Sequence, residues 1–192
     1  VTPFWSLFDQ KASTWVLQGN QMVMLAPDSW LGWLVKEPAQ MQALNPLLVM
    51  LLIPWNNLVL FPALRRLGVE VTALRRMTTG IFLAGLAWIA AGAFQLRIDD
   101  GETLSILWQV LPYVLLTLGE VLVSATGLEF AFEEAPKTMR SMMMSLWLLT
   151  IAGGHFLIAL FTNLNARFVK ASGAKELYFY AGLMFVVSLI FM

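Results

Sequence analysis

Pro112-Tyr-Val-Leu-Leu-Thr-Leu-Gly-Glu-Val-Leu-Val-Ser-Ala-Thr-Gly-Leu-Glu-Phe-Ala-Phe-Glu-Glu-Ala-Pro136 is the stretch from which the rest of the chain can be read. It is apolar and long enough to cross a bilayer, which takes about 20 residues of helix. Glu120 stands near its middle. A carboxylate at that depth costs roughly 2.5 kcal/mol or more, so it is expected to face a wet cavity or a partner and not lipid. Tyr113, Thr117, Glu120, Ser124 and Gly127 recur at three- and four-residue spacing, which puts them on one helical face. The other faces are Leu, Val and Ala. A polar stripe on an otherwise apolar spanning helix is the pattern of a helix that lines a solute pathway.

Composition supports a membrane setting for that helix. The chain has 192 residues, 59% of them hydrophobic and 12% charged, where soluble domains carry about 25% charged residues. Mean hydropathy is +0.73. The net charge of zero argues against nucleic acid as a partner, and the absence of cysteine excludes thiolate metal sites and disulfides within the chain. One histidine excludes a histidine-rich metal centre. There is no His-Glu-x-x-His, no serine–histidine pairing and no close pair of membrane-depth acids, so the sequence does not read as an enzyme.

Six apolar spans are expected, at about 1–19, 44–64, 76–96, 106–130, 140–163 and 176–192. In the first, Trp5, Asp9 and Ser13 share a face and form a second polar stripe with a carboxylate; alternatively, Asp9 pairs with Lys11 at a helix end. The connection after it holds Trp30 and Trp33, which suit an interfacial segment at headgroup level. The second span contains Asn45, Pro46, Pro54, Asn56 and Asn57, and prolines of this kind occur in broken, cavity-lining helices. Asn45 is either a ligand or the cap of its helix. Arg65, Arg66, Arg75 and Arg76 mark a cytoplasmic loop, and Asp99, Asp100 and Glu102 an outer one. Gly80, Ala84, Gly85 and Gly92 make the third span a packing scaffold. The fifth carries Trp147, Thr150, Gly153, Gly154 and His155. A lone histidine beside two glycines reads as an interhelical hydrogen-bonder and is left out of the site.

These residues carry a resemblance. Leu-Thr-Leu-Gly-Glu-Val-Leu-Val-Ser-Ala-Thr-Gly-Leu-Glu-Phe, followed by Glu-Ala-Pro-Lys-Thr-Met-Arg-Ser, resembles the tenth helix of the proton-dependent oligopeptide transporters, a family of the major facilitator superfamily. Phe-Trp-x-Leu-Phe-Asp-Gln-x-x-Ser-x-Trp at the start is similar to the seventh helix, with Ala12 where glycine is usual. Gln-Met-Gln-x-Leu-Asn-Pro resembles the eighth. Trp-Leu-Leu-Thr-x-Ala-x-Gly resembles the eleventh, with His155 where asparagine is common.

The resemblance implies an all-α membrane protein, the C-terminal six-helix bundle of such a transporter, with its first and last helices truncated and the N-terminal bundle absent. It implies proton-coupled symport of di- and tripeptides by alternating access, with protons as the coupling ion, no cofactor and no metal. The location expected is the cell membrane, multi-pass, in a bacterial inner membrane. Glu120, Ser124, Asn45, Trp147 and Trp5 are the implied substrate-binding residues, with Glu120 on the peptide's α-ammonium. Asp9 is implied as a gate, with Glu120 also a candidate for proton coupling. Trp147 either walls the pocket or packs at its rim. Transport of another small solute, such as nitrate or an organic ion, and a structural membrane subunit stay open beside this reading.

Overall fold

Six helical segments carry most of residues 1–26, 35–68, 72–164 and 172–191, which the computed structural model describes. They are α1 (Thr2–Gly19), α2 (Pro38–Arg66), α3 (Ala73–Asp99), α4 (Val110–Glu134), α5 (Arg140–Leu164) and α6 (Ala174–Phe191). All but α1 are long and apolar enough to cross a membrane. Asp9, Gln10, Lys11, Ser13 and Thr14 crowd the middle of α1 and lower its hydropathy. No strand occurs among the described residues; the bundle is all-α.

Local chemistry sets the helix ends. α2 starts at Pro38, six residues before the apolar run, because Glu37 and Gln40 form a reciprocal capping box around a 3-10 turn. Pro54 does not break α2. The helix passes through it and widens into a π turn over Asn56–Leu60, with Asn56 buried. At the other end of the bundle, Asp99 accepts hydrogen bonds from Gln95 Nε2 at 2.9 Å and from the Ala174 N–H at 3.2 Å. One acid of the expected outer loop therefore caps α6, over Gly173, whose φ of 62° suits glycine. The expected interfacial segment around Trp30 and Trp33 lies outside the described residues.

Between apolar helices in lipid there is little hydrophobic gain, so close approach and polar ties do the holding. α3 lies between α4 and α6. A Cβ on Gly80 would come within 2.6 Å of the Gly119 carbonyl oxygen, and one on Gly119 within 2.5 Å of the Gly80 oxygen. Gly85 lies under the Phe185 ring and Gly92 under Tyr178. The same device joins α1 to α5, where a Cβ on Gly154 would meet Trp5 Cβ at 2.7 Å.

Aromatic rings and two amides complete the core. Trp15 of α1 stands edge-on to Tyr113 of α4 at 4.9 Å and to Trp88 of α3 at 5.4 Å, and Trp88 stands edge-on to Tyr180 of α6 at 5.2 Å. Gln18 donates to the Ala91 carbonyl and Gln109 to the Trp15 carbonyl, each at 2.8 Å. Tyr113 corrects the stripe reading: it is buried in the core with Trp15 edge-on to it, and it does not line a pathway. α2 and α5 bury almost none of their apolar windows on this bundle.

Candidate functional site

Asn45 lies inside α2, one residue past the point where the 3-10 turn becomes α-helix, so its side chain is not needed as a cap. Its amide reaches α4 instead. Nδ2 carries two hydrogens and donates both, one to Glu120 Oε2 at 2.7 Å and one to Thr117 Oγ1 at 3.0 Å. Thr117 is fully buried and Glu120 half-buried. A hydrogen bond to a charged group contributes about 1.5–3 kcal/mol, while neutral interhelical bonds in membranes average about 0.6 kcal/mol. The Glu120 bond is therefore the stronger hold on α2. Oε1 of Glu120 has no partner among the described residues. Thr117 belongs to the sequence stripe but was not singled out; nothing in its spacing shows that Asn45 would reach it.

A second polar group forms where α1 meets α5. Asp9 Oδ2 lies 2.7 Å from His155 Nε2, so the ring presents its Nε2–H to the carboxylate. Asp9 does not pair with Lys11, because residues two apart on a helix point to different sides. Lys11 turns inward instead. It is 7% exposed, with Nζ 3.0 Å from the centroid of the Phe8 ring, a cation–π contact. Glu120 and Asp9 both lie near enough to act on its charge. The sequence reading of His155 as an interhelical hydrogen-bonder holds, but its partner is the very acid proposed as a gate.

The other candidates are placed differently. Ser124 is half-buried one turn beyond Glu120 and has no hydrogen-bond partner among the described residues. The ring of Trp147 lies directly over Gly127, in the space a Cβ there would fill, with Met77 beside it. The Thr150 hydroxyl donates to the Trp147 carbonyl at 2.7 Å. Trp5 is buried, edge-on to Phe4 and Phe8, and its indole N–H has no acceptor among the described residues. The structure thus brings Asn45 and Glu120 together and sets Trp5 and Trp147 into helix packing.

Comparison with known proteins fits this frame. The POT family profile matches residues 1–178. The chain belongs to the POT family. An auto-inhibited POT family peptide transporter of known structure superposes with a TM-score of 0.91 at 52% identity, over 100% of this chain and 38% of that one. The POT family transporter PepTSo gives 0.86 at 51% identity, over 99% and 38%. Rabbit (Oryctolagus cuniculus) solute carrier family 15 member 2 is 41% identical over 97 residues, 50% of this chain and 13% of that protein. The chain therefore spans well under half the length of these relatives. It is a multi-pass membrane bundle of a POT transporter, with two polar groups where its helices meet: a carboxylate steadied by an amide, and a carboxylate bonded to an imidazole.

Proposed function

We propose that this chain supplies half of the central site of a proton-coupled symporter for di- and tripeptides, in which Glu120 holds the peptide's α-ammonium. The observation that carries the reading is the Asn45–Glu120 bond, which steadies one carboxylate oxygen and leaves Oε1 without a partner among the described residues. A buried ammonium needs an anion, because an unpaired charge is prohibitively costly away from water. Ser124, one turn along, can orient the carboxylate or hold a bridging water. Asn45 acts through Glu120 and, with Ser124, shapes the ammonium end of the site. Trp147 and Trp5 bear on peptide size through the packing of α5 and α1. Asp9 takes the gating role. A partner bundle supplies the remaining half of the site, alternating access comes from rocking the two about the midplane, and the membrane is a bacterial inner membrane. One relative at 27% identity was solved with 5-aminolevulinic acid, a compound that has both an amine and a carboxylate.

The test is inhibition of peptide uptake by paired free and N-acetylated dipeptides, in wild type and Glu120→Gln. Loss of a charge-assisted bond, about 1.5–3 kcal/mol, corresponds to a roughly tenfold to hundredfold weaker free peptide. The acetylated peptide has no ammonium to lose and is expected to change far less. Equal losses for both would withdraw the ammonium assignment, and no peptide uptake by the wild type would withdraw the substrate class.

A further inference from the structure

The strongest feature left unused by the peptide site is the contact between α1 and α5. Asp9 and His155 meet at 2.7 Å although 146 residues separate them. Gly153 and Gly154 make the approach possible: a Cβ on Gly154 would lie 3.0 Å from the Ser6 backbone nitrogen and 2.7 Å from Trp5 Cβ. The imidazole side chain is 60% exposed and the Asp9 side chain 32%, so the described residues leave most of the ring uncovered. Histidine is the side chain whose charge ordinarily changes between pH 5 and 8.

We propose that His155 is a proton-binding group of the carrier, acting with Asp9 as a dyad; this rests on the proton-coupled reading above. A proton from water adds at Nδ1. The Nε2–H bond to Asp9 stays, and neutral imidazole becomes imidazolium. The dyad passes from a net charge of −1 to zero, and release of the proton from Nδ1 restores it. A neutral pair is cheaper than a lone carboxylate at membrane depth, so proton binding favours reorientation of this bundle and tightens α1 against α5 at the same time. Other charges stand on the neighbouring helices. Lys11 of α1 and Glu120 of α4 are the charged groups near enough to act on Asp9. Glu176 of α6 accepts from the Tyr180 hydroxyl at 2.7 Å, next to Gln10, and Glu37 stands at the start of α2. On α5, no titratable side chain lies between Arg140 and His155. The dyad is thus the place on this helix where a proton can change the charge.

The experiment uses the full-length carrier that contains this chain, in proteoliposomes, with wild type and His155→Asn. Asparagine keeps an N–H for Asp9 but does not titrate. The readout is the ratio of proton-driven accumulation to counterflow exchange between external pH 5.5 and 7.5. One pH unit of gradient can drive about tenfold accumulation per proton; the variant is expected to lose up to that factor and to show a flat ratio across the range. An unchanged, pH-dependent ratio would mean a hydrogen bond of purely structural use and would overturn the proposal. A second readout is independent of transport: the pH response of the ¹⁵N-histidine signal that disappears in His155→Asn, compared in wild type and Asp9→Asn. Different responses are expected, and superimposable ones refute the dyad. Failure of the wild type to accumulate peptide at all would sink the symport reading, while this second measurement still decides whether the dyad exists.

Discussion

Replacing Asn45 by alanine removes two donated hydrogen bonds and leaves their two acceptors, and its effect can be worked out from two distances. The 2.7 Å bond to Glu120 is charge-assisted and contributes about 1.5–3 kcal/mol, and the 3.0 Å bond to Thr117 adds about 0.6 kcal/mol as a neutral interhelical pair. Much of this holds α2 against α4, so a modest fall in thermal stability is expected. The part that fixes Glu120 appears as weaker peptide binding, roughly tenfold for 1.4 kcal/mol. A double-mutant cycle with Glu120→Gln, read by dipeptide inhibition of uptake, isolates that part. Residues acting as one unit show coupling of about 0.5–3 kcal/mol, so the double variant is expected to bind little worse than Glu120→Gln alone. If the two losses simply multiply, within the ~0.3–0.5 kcal/mol scatter of independent sites, Asn45 does not position the carboxylate and the reasoning fails.

Three other outcomes follow from the same geometry. Gly127→Ala is expected to mimic Trp147→Ala, since a methyl there displaces the ring; both are predicted to change the preference between bulky and small peptides, and a uniform loss across peptides in uptake competition would leave Trp147 as packing alone. Gly119→Ala is expected to lower thermal stability by about 1–3 kcal/mol through overpacking, whereas Gly182→Ala, with nothing near the new methyl, is expected to be neutral or slightly stabilising; equal melting shifts would contradict the packing of α3 on α4. In a cysteine-free background of intact cells, an impermeant maleimide is expected to label Glu102→Cys and to miss Leu67→Cys, and the reverse pattern would invert the topology.

The bundle was legible where physics acts along one helix. The cost of a carboxylate at membrane depth singled out Glu120, and runs of small residues marked α3 as the scaffold on which Gly80 and Gly119 meet. What the sequence could not show are the partners across helices. Asn45 meets Glu120 from 75 residues away, and no periodicity encodes such a distance. Lys11 was weighed as a surface partner of Asp9, yet α1 turns it onto Phe8. Tyr113 shares the stripe of Glu120, but Trp15 takes it into the core. His155 gave the one available signal, an imidazole next to two glycines, which marks close helix contact without naming the acid it would find.

The contact of Gly80 with Gly119 also limits how this protein can vary. Each glycine's missing methyl is room occupied by the other's carbonyl oxygen, so the two positions form a single unit of inheritance. A side chain gained at either is expected to persist only where the helix axes have moved apart, toward the separation of roughly 8–10 Å usual for packed helices. That shift would carry Glu120, next in sequence to Gly119, away from α3. Descendants of this chain are therefore expected to change their solute by editing α2 and α5 long before they touch the seam between α3 and α4.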